Sequence, residues 1–215
     1  MLTSRSNLAL ACALSGLAGY IDGIGFIYLG GLFVSFMSGN STRLGVMAAE
    51  LNVPKALEAL RLIALFVAGA GLGTLIGRGR GRNRQWLLLL AEALLLGAGA
   101  LSYQMGSPDL AITAIVLAMG LENLVFQAEP GAPGIGLTYM TGTLVRVGQL
   151  LATALVGGPR WAWLPNLLLW AALVAGAMIG TVAYQHFNLA AVWFGAAAAL
   201  LTCAIVGVKA RRAPH

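Results

Sequence analysis

The chain has 215 residues, of which 59% are hydrophobic and only 9% charged, with a net charge of +6. An average soluble domain carries about 25% charged residues, so this composition excludes an ordinary water-soluble fold and points to an all-α polytopic membrane protein. The apolar runs are continuous rather than alternating, which excludes a β-barrel.

The first apolar segment, A, covers 7–29 and follows Arg5. A cleaved leader has the same basic-then-apolar order, but this run continues past a signal core and has a counterpart later in the chain, so it reads as a span. Cys12 lies inside it and Cys203 lies far away, with no His or Cys neighbours, so neither a metal site nor a disulfide framework is indicated. Segment B, 32–52, carries a polar break, Met37-Ser38-Gly39-Asn40-Ser41-Thr42-Arg43. Such a break is costly in a bilayer unless protein buries it or it lines a cavity. Segment C, 57–77, contains Gly69, Gly73 and Gly77 at the spacing of close helix packing. These glycines allow packing either within one chain or between copies in a homo-oligomer. No Gly-Lys-Ser/Thr follows them, which excludes a nucleotide loop. Arg78, Arg80, Arg82 and Arg84 then fall in one short loop before segment D, 85–105.

Four further segments repeat this order: A′ at 109–127, B′ at 135–156, C′ at 163–184 and D′ at 189–208. B′ carries the matching break, Met140-Thr141-Gly142-Thr143-Leu144-Val145-Arg146. Val67-Ala68-Gly69-Ala70-Gly71-Leu72-Gly73-Thr74 in C resembles Val174-Ala175-Gly176-Ala177-Met178-Ile179-Gly180-Thr181 in C′. Gly19-Tyr20-Ile21-Asp22 in A aligns with Gly120-Leu121-Glu122-Asn123 in A′. Three coincidences in one order predict an internal duplication, 1–106 and 107–215, within one integral membrane domain. Gly23, Gly25, Gly30 and Gly31 loosen the approach to B, as Pro130, Gly131, Pro133, Gly134 and Gly136 loosen the approach to B′.

Basic residues fix a topology. The arginine loop, the N-terminus with Arg5, and the tail with Lys209, Arg211 and Arg212 read as cytoplasmic, and the loop 106–109 reads as outside. This placement makes the positive charge a topology signal and a contact for anionic lipid of the bilayer, not a nucleic-acid surface. For the arginine loop to lie inside, A plus B must cross an odd number of times. Each half then crosses three times, about six spans in all, and the second half is inserted upside down: two inverted-topology repeats, each with a broken or re-entrant helical segment. Whether B and B′ turn back or share a span with A and A′ stays open.

Paired breaks in two inverted halves are the sequence mark of a transporter-like binding site. Ser38 or Asn40 is placed to cap a helix beginning near Ser41, and Thr141 or Thr143 to do so in the second half. Such helix starts offer free N–H groups and partial positive charge, with Arg43 and Arg146 one turn further in. Asp22, Glu92 and Glu122 sit at membrane depth, where a lone charge costs about 3 kcal/mol on insertion scales. The repeat pairs Asp22 with Arg43 and Glu122 with Arg146, places Asn123 beside them, and leaves Glu92 as a proton-coupling candidate. No spacing supports a nucleophile with its base or a metal-assisted hydrolase, and no cofactor is indicated.

Gly19-Tyr20-Ile21-Asp22-Gly23, Gly30-Gly31-Leu32-Phe33-Val34-Ser35 and Met37-Ser38-Gly39-Asn40 together resemble the first-half signature of the YoaK family. Met119-Gly120-Leu121-Glu122-Asn123 and Thr138-Tyr139-Met140-Thr141-Gly142-Thr143-Leu144 resemble its second-half signature, in which Gln often stands at the position of Glu122. The resemblance implies a bacterial inner-membrane protein of about six spans, in a family classed as a domain of unknown function, and it implies no substrate. The residues themselves favour a small secondary transporter or permease for a small polar or anionic solute over an enzyme. A passive channel on the same broken helices, and a non-transporting scaffold or membrane-embedded enzyme, are the alternatives.

Overall fold

A computed structural model describes residues 5–126 and 138–212. The described residues form helices and no strand. In chain order these are α1 (Arg5–Tyr28), α2 (Met37–Ala49), α3 (Val53–Gly77), α4 (Arg84–Gln104), α5 (Pro108–Glu122), α6 (Met140–Leu155), α7 (Leu164–Phe187) and α8 (Val192–Arg212). Pro130, Gly131, Pro133, Gly134 and Gly136 lie outside the described residues, as do the side chains of Arg5, Arg82, Arg211 and Arg212.

Four stretches are long and apolar enough to cross a membrane: Ser6–Tyr28, Val53–Gly77, Arg84–Gln104 and Leu164–Ala210. The last joins α7 and α8 through the 3-10 turn Asn188–Ala191, with Asn188 in the left-handed region (φ 51°). With 24 and 21 residues, α7 and α8 each reach the roughly 20 residues a span requires. By contrast α2 has 13 residues and α6 has 16, about 20 and 24 Å at 1.5 Å per residue, too short to cross alone.

The turns follow local chemistry. Gly30 and Gly31 both take positive φ and end α1, with Gly31 N–H donating to the Phe26 carbonyl at 2.7 Å. Asn52 caps α3, its Oδ1 accepting from Lys55 N–H, and Pro54 occupies the first turn, where its missing N–H is harmless. Apolar side chains such as Val67, Leu75, Leu94 and Ile179 face outward, while Glu92, Asn40, Glu122 and Thr138 are buried inside. That distribution suits a lipid surround and opposes an aqueous one.

Glycine contacts set the helix pairing. A Cβ on Gly176 would meet the Gly16 carbonyl, and one on Gly180 the Tyr20 carbonyl; from the other side, Gly19 lies on Leu173 and Gly23 on Ala177. Both contacts advance the same way along the two helices, so α1 and α7 run parallel. The α3 helix meets α5 in the same manner: Gly69 lies on Leu117, Gly73 on Leu121, and Gly120 on Phe66. Segment C therefore packs on A′, and C′ on A. Meanwhile α4 runs antiparallel to α5, with Gly99 beside Ile115 and Ala111 and Gln85 donating to the Val125 carbonyl.

The two ends of the bundle differ. At one end Ser6, Gln85 and Lys209 line a common groove, and Lys209 donates to Ser6 Oγ at 3.0 Å, so both described chain ends lie beside the arginine loop. At the other end Arg61 pairs with Asp109 at 3.1 Å, beside Tyr28 and Leu29.

Candidate functional site

The start of each short helix meets the other across one cavity of about 450 Å³. Phe33, Ser35 and Phe36 approach from the first half and Thr138, Met140, Thr141 and Leu144 from the second; α1 contributes Asp22 and Phe26, and α7 contributes Thr181.

Asp22 holds the first approach in place. Its Oδ1 accepts from Val34 N–H and Ser35 N–H, each at 2.8 Å, and its Oδ2 accepts from the Ser35 hydroxyl. The aligned positions in the second half make the same link in neutral form: Thr138 Oγ1 donates to Asn123 Oδ1 at 3.1 Å, while Asn123 Nδ2 donates to the Met119 carbonyl. Ser35 and Thr138 each stand two residues before the methionine that opens the short helix. Aligning the breaks with their approaches would have identified both pairs from sequence.

The helices begin one turn earlier than the capping argument places them, at Met37 and Met140 rather than near Ser41. Their N-caps, Phe36 and Tyr139, make no side-chain capping bond. Asn40 is fully buried and turns back instead, accepting from Phe33 N–H at 2.8 Å and donating to the Phe33 carbonyl at 2.7 Å. It latches the approach to α2 rather than capping it. Thr143 bonds the Tyr139 carbonyl at 3.3 Å, Ser38 is exposed on α2, and Thr141 lines the cavity.

Neither expected ion pair forms. Arg43 lies against Gly31, with its guanidinium 5.7 Å from the centre of the Phe26 ring, and does not reach Asp22. Arg146 is exposed and has no carboxylate partner among the described residues. Starting each helix a turn early carries both arginines off the cavity lining. Glu122, at the end of α5, is fully buried, and so is Glu92 on α4; none of their four carboxyl oxygens has a hydrogen-bond partner among the described residues. The antiparallel register brings them to one level, since Glu92 precedes Gly99 by as many residues as Glu122 follows Ile115. No group of three metal-ligating side chains occurs among the described residues. The aromatic trio Phe26, Phe33 and Phe36 was not singled out by sequence, because phenylalanine gives no contrast in so apolar a chain.

The model of the family described as "Protein of unknown function (DUF1275)" matches residues 10–206. A UPF0700 transmembrane protein of Rhizobium meliloti (strain 1021) is 36% identical over 201 residues, covering 94% of this chain and 86% of that relative. The UPF0700 transmembrane protein YoaK of Bacillus subtilis (strain 168) is 28% identical over 145 residues, covering 64% of this chain and 62% of YoaK. No solved structure matches the chain. The relatives' description and the long apolar helices agree: this is a helical membrane protein.

Proposed function

The chain belongs to the DUF1275 family, and we propose that this member is a small secondary transporter or permease, with its solute site in the cavity between the two short-helix starts. The observation that carries the reading is that one cavity takes lining from the approach to α2, from the start of α6 and from both parallel long helices, α1 and α7. Discontinuous helices meeting at a cavity between halves are the architecture of secondary transporters. In this reading six segments cross the bacterial inner membrane: α1, α3, α4, α7, α8, and α5 together with the turns that continue it to Phe126. The halves 1–106 and 107–215 are then inverted repeats. The exchange of A with A′ and C with C′ in the glycine contacts supports that arrangement, as does the direction of α5, opposite to α1. Asp22, Thr141 and Asn123 belong to the site or its support, and Ser38, Asn40 and Thr143 to the helix starts. The anionic solute class rested on Arg43 and Arg146, and neither lines the cavity.

The topology is tested directly. With Cys12 and Cys203 replaced by alanine, a cysteine at Arg80 is expected to react with a membrane-impermeant reagent only from the cytoplasmic face, and one at Ser107 only from the other face. Labelling of the arginine loop from outside intact cells sinks the inverted arrangement.

Gradient coupling falls to Glu92, with Glu122 beside it. A buried carboxyl without partners is stable at this depth when neutral, and it can carry a proton. A thermal-shift screen of the purified protein against small ions, metabolites and drugs identifies a solute. For that solute, Glu92→Gln is expected to abolish accumulation driven by a pH gradient and to leave binding unchanged. Undiminished gradient-driven accumulation in the variant removes Glu92 from the coupling role.

A further inference from the structure

We infer that the cavity takes an apolar organic monocation. This deepens the transporter reading by naming the solute class for the same cavity. Asp22 is the one ionisable side chain among the described residues of the lining. Its counterpart Asn123 is neutral, so the described residues of the two halves offer one negative charge in the lining. The Asp22 carboxylate accepts hydrogen bonds from Val34 and Ser35, with the Phe36 backbone N–H also facing it, and all of these donors are neutral. It forms no ion pair among the described residues. A charge left without a counter-ion in a low-dielectric site is costly, and a cationic solute supplies the missing partner.

The rest of the lining selects the kind of cation. Phe26 and Phe33 lie 4.9 Å apart between ring centres, and Phe33 meets Phe36 edge-on at 5.2 Å. Ring faces attract a cation through their quadrupole, most strongly where water is excluded. Leu144, Leu173 and Ala177 complete an apolar wall suited to alkyl or aryl substituents. Such a wall cannot replace the hydration shell of a small inorganic ion. An anion would face Asp22 directly. Arg43 stands outside the lining and lies over the Phe26 ring, where it opposes a cationic guest and occupies part of the ring.

Tetraphenylphosphonium and tetraphenylborate share one shape and carry opposite charge, so together they read the sign of the site. Equilibrium dialysis of the purified full chain in detergent, with micelles alone as blank, is expected to give saturable tetraphenylphosphonium binding at least about tenfold tighter than borate binding, since a single charge contact outweighs the equal apolar terms. Asp22→Asn should abolish that preference, and Phe36→Leu should weaken the cation while leaving borate unchanged. Arg43→Ala should tighten the cation. Equal affinities, a preference for borate, no saturable binding of either ion, or a preference that survives in folded Asp22→Asn overturns the inference. If Asp22→Asn does not fold, Arg43→Ala decides: tighter cation binding upholds the inference, and unchanged or weaker binding overturns it. Cation binding without protein-dependent uptake into proteoliposomes upholds the solute class and overturns the transporter reading.

Discussion

Gly176→Val is expected to destroy the packing of α1 against α7. Its new side chain would be driven into the Gly16 carbonyl, which is backbone and cannot swing aside as a side-chain end would. Overpacking a well-fitted contact costs typically 1–3 kcal/mol where side chains can adjust; with backbone on the far side we expect about 3 kcal/mol or more. Gly69→Val should do the same to α3 and α5 through the Leu117 carbonyl. The matched controls are Gly45→Ala and Gly148→Ala, where a Cβ meets nothing within 4 Å. These should stay within about 0.5 kcal/mol of the parent or gain slightly from helix propensity. Thermal unfolding of the four variants in one detergent checks the set. A Gly176→Val protein that melts with the parent would mean that α1 and α7 do not meet at this face.

The second large effect is at Asp22. Asp22→Ala should cost about 3 kcal/mol, because it strands the Val34 and Ser35 N–H groups that the carboxylate accepts. Asp22→Asn should cost much less, since an amide oxygen can accept the same two bonds, as Asn123 already accepts from Thr138. Asn123→Ala should fall near 1 kcal/mol, the usual value of one such bond. Adding Arg43→Gln to Asp22→Asn should give additive losses, because the two side chains do not touch. A coupling above about 0.5 kcal/mol in that cycle would restore the ion pair that the structure lacks.

How far the sequence could be read depended on how local each signal was. The glycine series in segments C and C′ marks a close-packing face, because only a missing side chain lets two helix backbones approach so nearly. It does not say which helix arrives. Gly69 and Gly176 each receive the α1-type helix of the opposite half, a long-range choice that the glycines permit without encoding. The breaks at Met37 and Met140 were legible because polarity in an apolar chain is conspicuous. The register of the helix starts was not. Capping logic placed Ser38 and Asn40 ahead of the helix, whereas the buried Asn40 finds better partners in both polar groups of Phe33. That one-turn difference removed Arg43 and Arg146 from the lining. Asp22 was legible as a costly charge at depth; the main-chain N–H groups of Val34 and Ser35 that it accepts from were not, because backbone donors leave no mark in side-chain patterning. The Glu92 and Glu122 pair could be seen only as two separate acids until the α4–α5 register brought them level.

As a solute path, the cavity between the two helix starts must open in turn to each side of the membrane. Thr141→Cys, in a chain with Cys12 and Cys203 replaced by alanine, places one thiol on that lining. Labelling with a small membrane-impermeant thiol reagent, in right-side-out and in inside-out vesicles, reads that alternating exposure. Reaction is expected from both faces, slowed in each by a bound solute. Reaction from one face alone, or from neither while the unfolded chain labels fully, would contradict a solute path.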